Sequence, residues 1–322
     1  MGTDRLTIPL AEPGRVPEAE RRALAEAVSR DGYAVAEVRP PGRDTRDPDP
    51  LVVLADALGR RQLHPRGDRF GIIGTVTGGD GREGHELSPA WRDHVDEYQA
   101  VGPKDVGCHT DGAFIDGPGV APPALLLLHC ARPADAGGES VLVDGATLFD
   151  TVRQADPRLL RELMREQFTF CRDELVAVNQ PVFRRRGRTA VGVRWRFDKA
   201  VYGTRGALRA ARAFHDGYVR TAPRTEIPLR RGEILVIDNL RMLHARKESR
   251  GQRVLRRAWI VDAACEPVAN LVDRSAHPQA YQAFAFYQPL PRGPGREPAA
   301  LSLGVKVAVD GGLIPCRADH AS

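Results

Sequence analysis

The segment VGCHTDGAF, residues 106–114, places a histidine and an aspartate two positions apart within an apolar, glycine-containing stretch. Alternate residues of a β-strand point to the same face, so His109 and Asp111 can project together from one side of a strand. Three interpretations fit this pattern: an exposed strand edge, a local hydrogen-bonded pair, or two ligands of a metal ion. The choice among them depends on what the rest of the chain offers.

The composition is typical of a globular protein. The chain has 322 residues, of which 42% are hydrophobic and 28% charged, and its net charge is +5. Arginine supplies almost all of the positive charge. No nucleic-acid recognition motif accompanies this charge, so a nucleic-acid partner is not expected, whereas a small anionic substrate is compatible with it.

Cysteine usage and hydropathy predict a cytoplasmic protein without a membrane partner. The five cysteines are widely spaced and include no CxxC pair, which fits neither a disulfide framework nor a zinc ribbon. The N-terminus has no apolar signal-peptide region. The longest apolar run, 124–128, is too short to span a bilayer. The sequence does not indicate an oligomeric state.

Many short apolar segments separated by turn residues predict a mainly β fold with covering helices, built on an antiparallel barrel-like or jelly-roll core. Helices are expected at residues 13–30, 51–59, 146–166 and 205–220. We find no internal repeat and no interdomain linker. The chain is therefore predicted to form a single domain, 1–322, with an N-terminal region, 1–62, packed on the barrel and a coil-rich C-terminal extension, 289–322.

A third metal ligand is available in a later strand. His244 lies in LRMLHAR, and with His109 and Asp111 it would complete a set of two histidines and one carboxylate. Such a facial triad leaves three coordination positions open and is used by non-haem Fe(II) oxygenases. Zinc can occupy a similar set of ligands, so the three residues alone leave both metals possible.

The segment RVLRRAW, residues 253–259, separates these possibilities. It places Arg253 and Arg257 on one strand face, and the turn at 248–252 is expected to fold this strand back beside the His244 strand. A fixed guanidinium close to the metal suits a dicarboxylate such as 2-oxoglutarate, because a buried carboxylate without a partner is costly. The competing interpretation is that both arginines are surface residues of an arginine-rich chain.

Together these motifs resemble the TauD/TfdA (taurine dioxygenase-like) family of Fe(II)/2-oxoglutarate-dependent oxygenases, which includes γ-butyrobetaine hydroxylase-like and clavaminate synthase-like enzymes. The resemblance covers about residues 65–262. Its motifs occur in the family's order, namely RGDRFGII, GCHTDGAF, LLLHCARPADAGGESVLVDG, PVF, GEILVIDNLRMLHAR and RVLRRAW. The resemblance implies a double-stranded β-helix (jelly-roll, cupin-like) core.

The resemblance also implies roles for individual residues. The expected Fe(II) ligands are His109, Asp111 and His244. Arg257 is expected to bind the distal carboxylate of 2-oxoglutarate, with Arg253 assisting it or holding the C1 carboxylate. Spacing favours Arg257 as the main partner. Ser140 of GGES matches a position where the family often has a hydroxyl that contacts this cosubstrate.

The implied reaction converts 2-oxoglutarate and O2 to succinate and CO2 while a substrate C–H bond is oxidised. Hydroxylation is the expected outcome, with desaturation, cyclisation or oxidative cleavage as alternatives in the same class. Chlorination is disfavoured, because the family's halogenases have a small residue where this chain has Asp111. Two remote alternatives are a zinc-dependent cupin-like hydrolase or isomerase and a non-catalytic binding barrel.

The substrate is expected to be small and polar or anionic, such as an amino acid or a natural-product intermediate. Substrate contacts come from the mouth of such barrels and from their loops. The candidate residues are Phe114, Tyr98, Arg246, Arg194 and Arg196. Phe114 can equally be a core residue, and Arg246 can equally contact the cosubstrate. The glycine-rich stretch 74–84 is a candidate lid.

Overall fold

The computed structural model describes most of the chain between residues 5 and 263. The described ranges are 5–9, 16–39, 49–62, 73–78, 106–116, 121–172, 175–186, 190–197, 201–263 and 314–315. Tyr98 lies outside these ranges, as does the predicted C-terminal extension except for its residues 314 and 315.

The described residues form short strands and a few helices. The strands are β1 (Arg5–Pro9), β2 (Tyr33–Arg39), β3 (Gly59–Gln62), β4 (Ile73–Gly78), β5 (Val106–His109), β6 (Leu125–Arg132), β7 (Ala136–Gly137), β8 (Ser140–Asp144), β9 (Phe168–Arg172), β10 (Leu175–Gln180), β11 (Phe183–Arg186), β12 (Ala190–Val193), β13 (Val201–Gly203), β14 (Thr225–Ile227), β15 (Glu233–Asp238), β16 (Met242–Arg246), β17 (Ser249–Arg250), β18 (Arg253–Ala263) and β19 (Ile314–Pro315). The helices are α1 (Glu18–Asp31), α2 (Pro50–Leu58), α3 (Gly145–Ala155), α4 (Pro157–Leu163) and α5 (Arg205–Phe214), and α5 continues into a π-helical turn, His215–Val219.

Two of the sheets contain the strands that matter for function. The first has the order β1-β2-β15-β6-β18-β3, and β4 also pairs with β18. The second has the order β14-β8-β16-β5. Smaller sheets have the orders β10-β9-β13-β19, β11-β12 and β17-β7. The predicted mainly β core with covering helices is confirmed.

The central strands of the first sheet are continuous apolar runs because both of their faces are covered. On the outer face, Leu125 and Leu127 of β6 share a core cluster with residues of α1 and α2. On the inner face, Leu126 and Leu128 belong to a second cluster, which includes Leu142 of the second sheet and residues of α3, α4 and α5. The inner faces of the two sheets therefore enclose one apolar core.

The predicted helix at 146–166 is two helices, α3 and α4. Asp156 has a non-helical backbone (φ −144°, ψ 80°), and its carboxylate accepts hydrogen bonds from the amides of Arg158 and Leu159. Pro157 then occupies the first turn of α4, where its missing N–H is tolerated. This Asp–Pro pair ends one helix and begins the next. None of the helices in the described ranges has the length and hydrophobicity needed to cross a lipid bilayer.

The stretch GEILVIDNLRMLHAR forms two strands, β15 and β16. The Asp238 carboxylate accepts hydrogen bonds from the amides of Leu240 and Arg241 at 3.0 and 3.2 Å, which forms a turn between β15 and β16. This turn moves the chain from the first sheet to the second. The prediction that β18 lies beside the His244 strand is therefore wrong, because β18 pairs with β6, β3 and β4 in the first sheet.

The glycine-rich stretch 74–84 also differs from its prediction as a lid loop. Its first residues belong to β4, which pairs with β18 from Arg253 to Arg257. The remaining residues of this stretch, 79–84, lie outside the described ranges.

Arg241 holds the turn between the two sheets to neighbouring elements. Its guanidinium donates to both carboxylate oxygens of Asp144, at 3.0 and 2.8 Å, and to the carbonyls of Ser29 and Arg30 at 3.1 Å each. It therefore joins the end of α1 to the start of α3.

We expect the substitution Arg241→Ala to lower the free energy of unfolding by about 2 kcal/mol, because it removes several charge-assisted hydrogen bonds in a partly buried place. Urea denaturation measures this change. Arg153→Ala is the matched control, since Arg153 pairs with Asp150 on the exposed surface of α3. Its effect is expected to stay below about 0.5 kcal/mol, and equal losses in the two variants would contradict the role of Arg241.

Candidate metal centre

Three predicted metal ligands converge between the two sheets. His109 ends β5 and lies opposite His244 of β16 in the antiparallel register. Asp111 lies in a turn just after β5, not on the strand as predicted. Its Oδ1 is 3.6 Å from Nε2 of each histidine. The ligand atoms of all three residues lie within 4.8 Å of one another.

These distances fit a single divalent metal ion. Bonds from such an ion to histidine nitrogen and carboxylate oxygen are about 2.0–2.2 Å long, so ligand atoms in adjacent positions lie about 3 Å apart. The two Nε2–Oδ1 separations of 3.6 Å need only a small inward movement to reach that value. Two imidazoles and one carboxylate are the donor set of the facial triad.

Hydrogen bonding and burial prepare the ligands for a cation. Nδ1 of His109 donates to the carbonyl of Gly107 at 2.8 Å, so Nε2 is the ring nitrogen that faces the other two ligands with its lone pair in the neutral tautomer. Burial and the adjacent His109 ring lower the pKa of His244 to about 4, so its imidazole is neutral at neutral pH. Burial acts to raise the pKa of Asp111, but Arg257 and the two histidines hold it well below its usual range.

The second oxygen of Asp111 is fixed by two donors from β18. Nη1 of Arg257 donates to Oδ2 at 2.9 Å, and the indole Nε1 of Trp259 donates to the same atom at 2.8 Å. Because Oδ2 is occupied, Oδ1 is the oxygen directed towards the histidines. Trp259 was not predicted as a site residue, although the alternation from Arg253 through Arg257 places it on the same strand face.

The backbone of Asp111 is held by Asn239, a residue that the sequence analysis also missed. Asn239 is fully buried. Its Oδ1 accepts from the amide of Asp111 at 2.8 Å, and its Nδ2 donates to the carbonyls of Asp111 at 3.0 Å and Pro123 at 2.8 Å. Gly112 follows with φ +70°, and a Cβ there would lie 2.7 Å from Cδ of Pro123. No local sequence signal links residues 111 and 239.

A second segment supports the metal-binding turn from the other side. Thr110 donates its amide to the carbonyl of Trp195 at 2.8 Å and accepts from the amide of Trp195 at 3.0 Å. Arg194, a predicted substrate contact, donates to the carbonyls of Ala113 and Ile115 at 3.1 and 3.3 Å. These contacts make Arg194 a support for the turn.

The remaining predicted substrate residues lie in different places. Phe114 is buried in the apolar core that the two sheets enclose. The guanidinium of Arg196 lies 6.0 Å from the centre of the Phe114 ring. Arg246 is buried on β16 two residues after His244, so both side chains point to the same face. Tyr98 is not among the described residues.

A buried cationic pocket begins two residues after His244 on β16, at Arg246. Nη2 of Arg253 is 3.4 Å from Oγ of Ser140, and Ser140 lies opposite Arg246 in the register of β8 and β16. All three side chains are buried. Gly138 makes room for this packing, since its φ is +74° and a Cβ there would lie 3.1 Å from Cδ of Arg253.

The electrostatics of this pocket favour an anion. Burial and the nearby Arg246 lower the pKa of Arg253 to about 10. Among the described residues, no carboxylate forms a salt bridge with Arg253. A buried guanidinium beside a second cation is costly unless a negative group neutralises it. The arrangement can therefore bind the carboxylate of a ligand.

Comparison with protein families gives one match over most of the chain. The family model described as "Taurine catabolism dioxygenase TauD, TfdA family" matches residues 1–259. The match therefore includes the N-terminal region, whereas the resemblance in the motifs was limited to residues 65–262.

One curated protein is similar in part of its length. It is a uridine-5'-phosphate dioxygenase from a Streptomyces species, 28% identical over 152 residues. The match covers 44% of this chain and 54% of that protein, so the chain spans about half the length of the curated relative that it matches.

Solved structures share the fold at low sequence identity. An asparagine oxygenase in complex with Fe(II), 2S,3S-3-hydroxyasparagine and succinate is 18% identical, with a TM-score of 0.55 over 76% of this chain and 80% of that one. The non-haem iron oxygenase OrfP in complex with Fe and alpha-ketoglutaric acid is 17% identical, with a TM-score of 0.54 over 76% of this chain and 80% of that one. A taurine dioxygenase from Burkholderia xenovorans is 14% identical, with a TM-score of 0.56 over 84% of this chain and 97% of that one.

We expect Asn239→Asp to weaken metal binding about 10- to 100-fold, the usual effect of removing a residue that orients a ligand. The new carboxylate has no donor for the carbonyls of Asp111 and Pro123 and repels both. Calorimetric titration with Co(II) or Ni(II) measures the affinity. Asn179→Asp is the control, because it makes the same chemical change at an exposed position. Unchanged Co(II) affinity in the Asn239 variant would show that Asp111 does not depend on this amide.

Proposed function

Because this chain belongs to the TauD/TfdA family of Fe(II)/2-oxoglutarate-dependent dioxygenases, we propose that it hydroxylates a C–H bond of a small polar or anionic molecule. An amino acid or a natural-product intermediate is the substrate class that we favour. The observation that supports this proposal most directly is the convergence of His109, Asp111 and His244 beside a buried cationic pocket. Family membership argues against the two remote alternatives, a zinc-dependent hydrolase and a non-catalytic binding barrel.

Fe(II) would be held by Nε2 of His109, Oδ1 of Asp111 and Nε2 of His244. When bound, the iron supplies the oxygen chemistry that a C–H bond of low reactivity requires. The protein orients the ligands and excludes water. Arg257 and Trp259 keep Oδ2 of Asp111 engaged, which leaves a single carboxylate oxygen for the metal.

The distal carboxylate of 2-oxoglutarate would bind Arg253 and Ser140. Arg253 is 4% exposed and has the Ser140 hydroxyl beside it. A guanidinium and a hydroxyl together donate several hydrogen bonds to a carboxylate. Arg246 adds positive charge on the adjacent strand. The ligand carboxylate would in turn pair with the buried guanidinium of Arg253.

This assignment reverses the division of roles that spacing favoured. Arg257 was expected to be the main partner of the distal carboxylate, but its Nη1 contacts Asp111. We therefore assign it to the metal end of the site, where it orients Asp111 and can bind an anionic group of the substrate. Its Nε has no hydrogen-bond partner among the described residues, so a donor is available there.

An amino acid is the first substrate class to test. Two proteins of the same fold have products named with their structures, 3-hydroxyasparagine for asparagine oxygenase and (3S)-hydroxy-L-Arg for OrfP. Both products are hydroxylated amino acids. A cationic side chain beside the metal suits the carboxylate of such a molecule.

A nucleotide is the second candidate. The curated relative is named for uridine-5'-phosphate, which has a phosphate that guanidinium groups bind well. Succinate release in the presence of each compound, measured over a panel of amino acids and nucleotides, distinguishes the two classes. Release that no member of either class stimulates would contradict both.

Two arginine variants test the assignment of the cosubstrate site. Protein mixed with Fe(II) and 2-oxoglutarate under argon should develop a visible charge-transfer band, whose titration gives the 2-oxoglutarate affinity. We expect Arg253→Ala to weaken that affinity about 10- to 100-fold, because it removes charge-assisted hydrogen bonds. We expect Arg257→Gln to weaken metal binding and to change 2-oxoglutarate affinity much less.

Arg256→Ala is the matched control for this experiment. Arg256 is the neighbour of Arg257 on the same strand, but it pairs with Asp49 at the start of α2 on the outer face. Its removal should leave the 2-oxoglutarate affinity, measured from the charge-transfer band, unchanged. Loss of 2-oxoglutarate affinity in the Arg257 variant but not in the Arg253 variant would show that Arg257 is the main partner of the distal carboxylate, as the spacing suggested.

A further inference from the structure

Gln62 is a buried side chain on the inner face of the first sheet. In the register of β3 and β18, Gln62 lies opposite Trp259 and Arg61 lies opposite Ile260. Directly opposed residues in a sheet share a face. Trp259 belongs to the inner core cluster and Ile260 to the outer one. Gln62 therefore points to the inner face.

The contacts of Arg61 support this orientation independently. Its guanidinium forms an ion pair with Asp56 of α2, and α2 packs on the outer face of the sheet. Successive strand residues point to opposite faces, so the side chain after Arg61 is directed inward. Gln62 is 3% exposed.

The side-chain amide of Gln62 is buried and is unpaired within the described part of the chain. Neither its Nε2 nor its Oε1 has a hydrogen-bond partner among the described residues. Buried polar side chains are nearly always paired, and an unpaired one is costly. An apolar residue would fit this core at no such cost, so the amide calls for a ligand-based explanation.

Gln62 is linked to the metal ligand Asp111 through Trp259. Opposed residues in an antiparallel pair have Cβ atoms about 4.5–5.5 Å apart. The indole of Trp259, opposite Gln62, donates to Oδ2 of Asp111. Gln62 is therefore separated from a metal ligand by one side chain.

We propose that Gln62 binds the substrate, through a substrate group that offers a hydrogen-bond donor and an acceptor side by side. A primary carboxamide, a ureide and the imide edge of a uracil have this arrangement, which pairs with the donor and acceptor of a glutamine amide. The inference rests on the proposed function and narrows its substrate class.

The cosubstrate cannot satisfy this amide. Ionised 2-oxoglutarate has two carboxylates and a ketone, all of which only accept hydrogen bonds. It could bind Nε2 of Gln62 but would leave Oε1 without a donor. A molecule with a donor of its own is required, and the substrate is the remaining ligand of the site.

Gln62→Leu and Gln62→Glu test this inference in the full-length protein loaded with Fe(II) and 2-oxoglutarate under argon. The probes are L-asparagine, L-citrulline and uridine 5'-monophosphate, and L-aspartate is the matched control for L-asparagine. We expect the wild-type protein to bind at least one of the three probes, with asparagine favoured over aspartate. Both variants should weaken that binding at least tenfold, because each removes one or both partners of the ligand.

Two further measurements separate binding from folding. Gln62→Leu removes an unpaired amide, so its melting temperature should be equal to or above that of the wild-type protein. Gln62→Glu keeps the side-chain volume. Arg61→Leu changes the same strand on its outer face and should leave probe binding unchanged.

The outcomes distinguish this inference from the proposed function. If the charge-transfer band forms but both Gln62 variants bind every probe as the wild-type protein does, the role of Gln62 is refuted. The same holds if the band forms and the wild-type protein binds none of the probes. In both cases the oxygenase assignment stands. If no band forms in the wild-type protein, the proposed function fails and the inference fails with it.

Discussion

The fixed position of the Asp111 carboxylate is the constraint on which the site depends. The first sheet holds Oδ2 through Arg257 and Trp259, whereas the second sheet provides the two histidines that face Oδ1. The metal ligands therefore meet only if the two sheets keep their separation. The apolar core between the sheets sets that separation, and interior packing is too dense to adjust without strain. The packing of the core therefore determines whether the three metal ligands can meet.

The turn between β15 and β16 connects this requirement to the rest of the fold. Asn239 of the turn holds the Asp111 backbone, and Arg241 of the same turn holds the end of α1 and the start of α3. The turn is also the point at which the chain passes from one sheet to the other. Its position thus fixes the register of His244 and the location of Asp111 together.

Local patterns predicted the ligands and the fold class, because both depend on residue type and short-range spacing. The three residues that converge, the mainly β core and the two faces of β18 all follow from such patterns. Local patterns did not predict the strand pairing. We expected β18 to pair with β16 in one sheet, but β18 pairs with β6 in the first sheet and β16 belongs to the second. Asn239 was missed for a related reason: its contact with Asp111 joins residues 128 positions apart, and an asparagine after a strand predicts a turn equally well.

The inner face of β18 and its partner β3 arranges hydrogen-bonding groups in an order that suits two different ligands. Arg253 lies at one end and only donates, which matches a cosubstrate whose oxygens only accept. Arg257 comes next, beside the metal ligands. Gln62, opposite Trp259, both donates and accepts. Under the proposed assignments, 2-oxoglutarate, whose oxygens only accept hydrogen bonds, would satisfy Arg253 but not Gln62. A substrate with a donor of its own would satisfy Gln62, opposite the Trp259 that contacts Asp111.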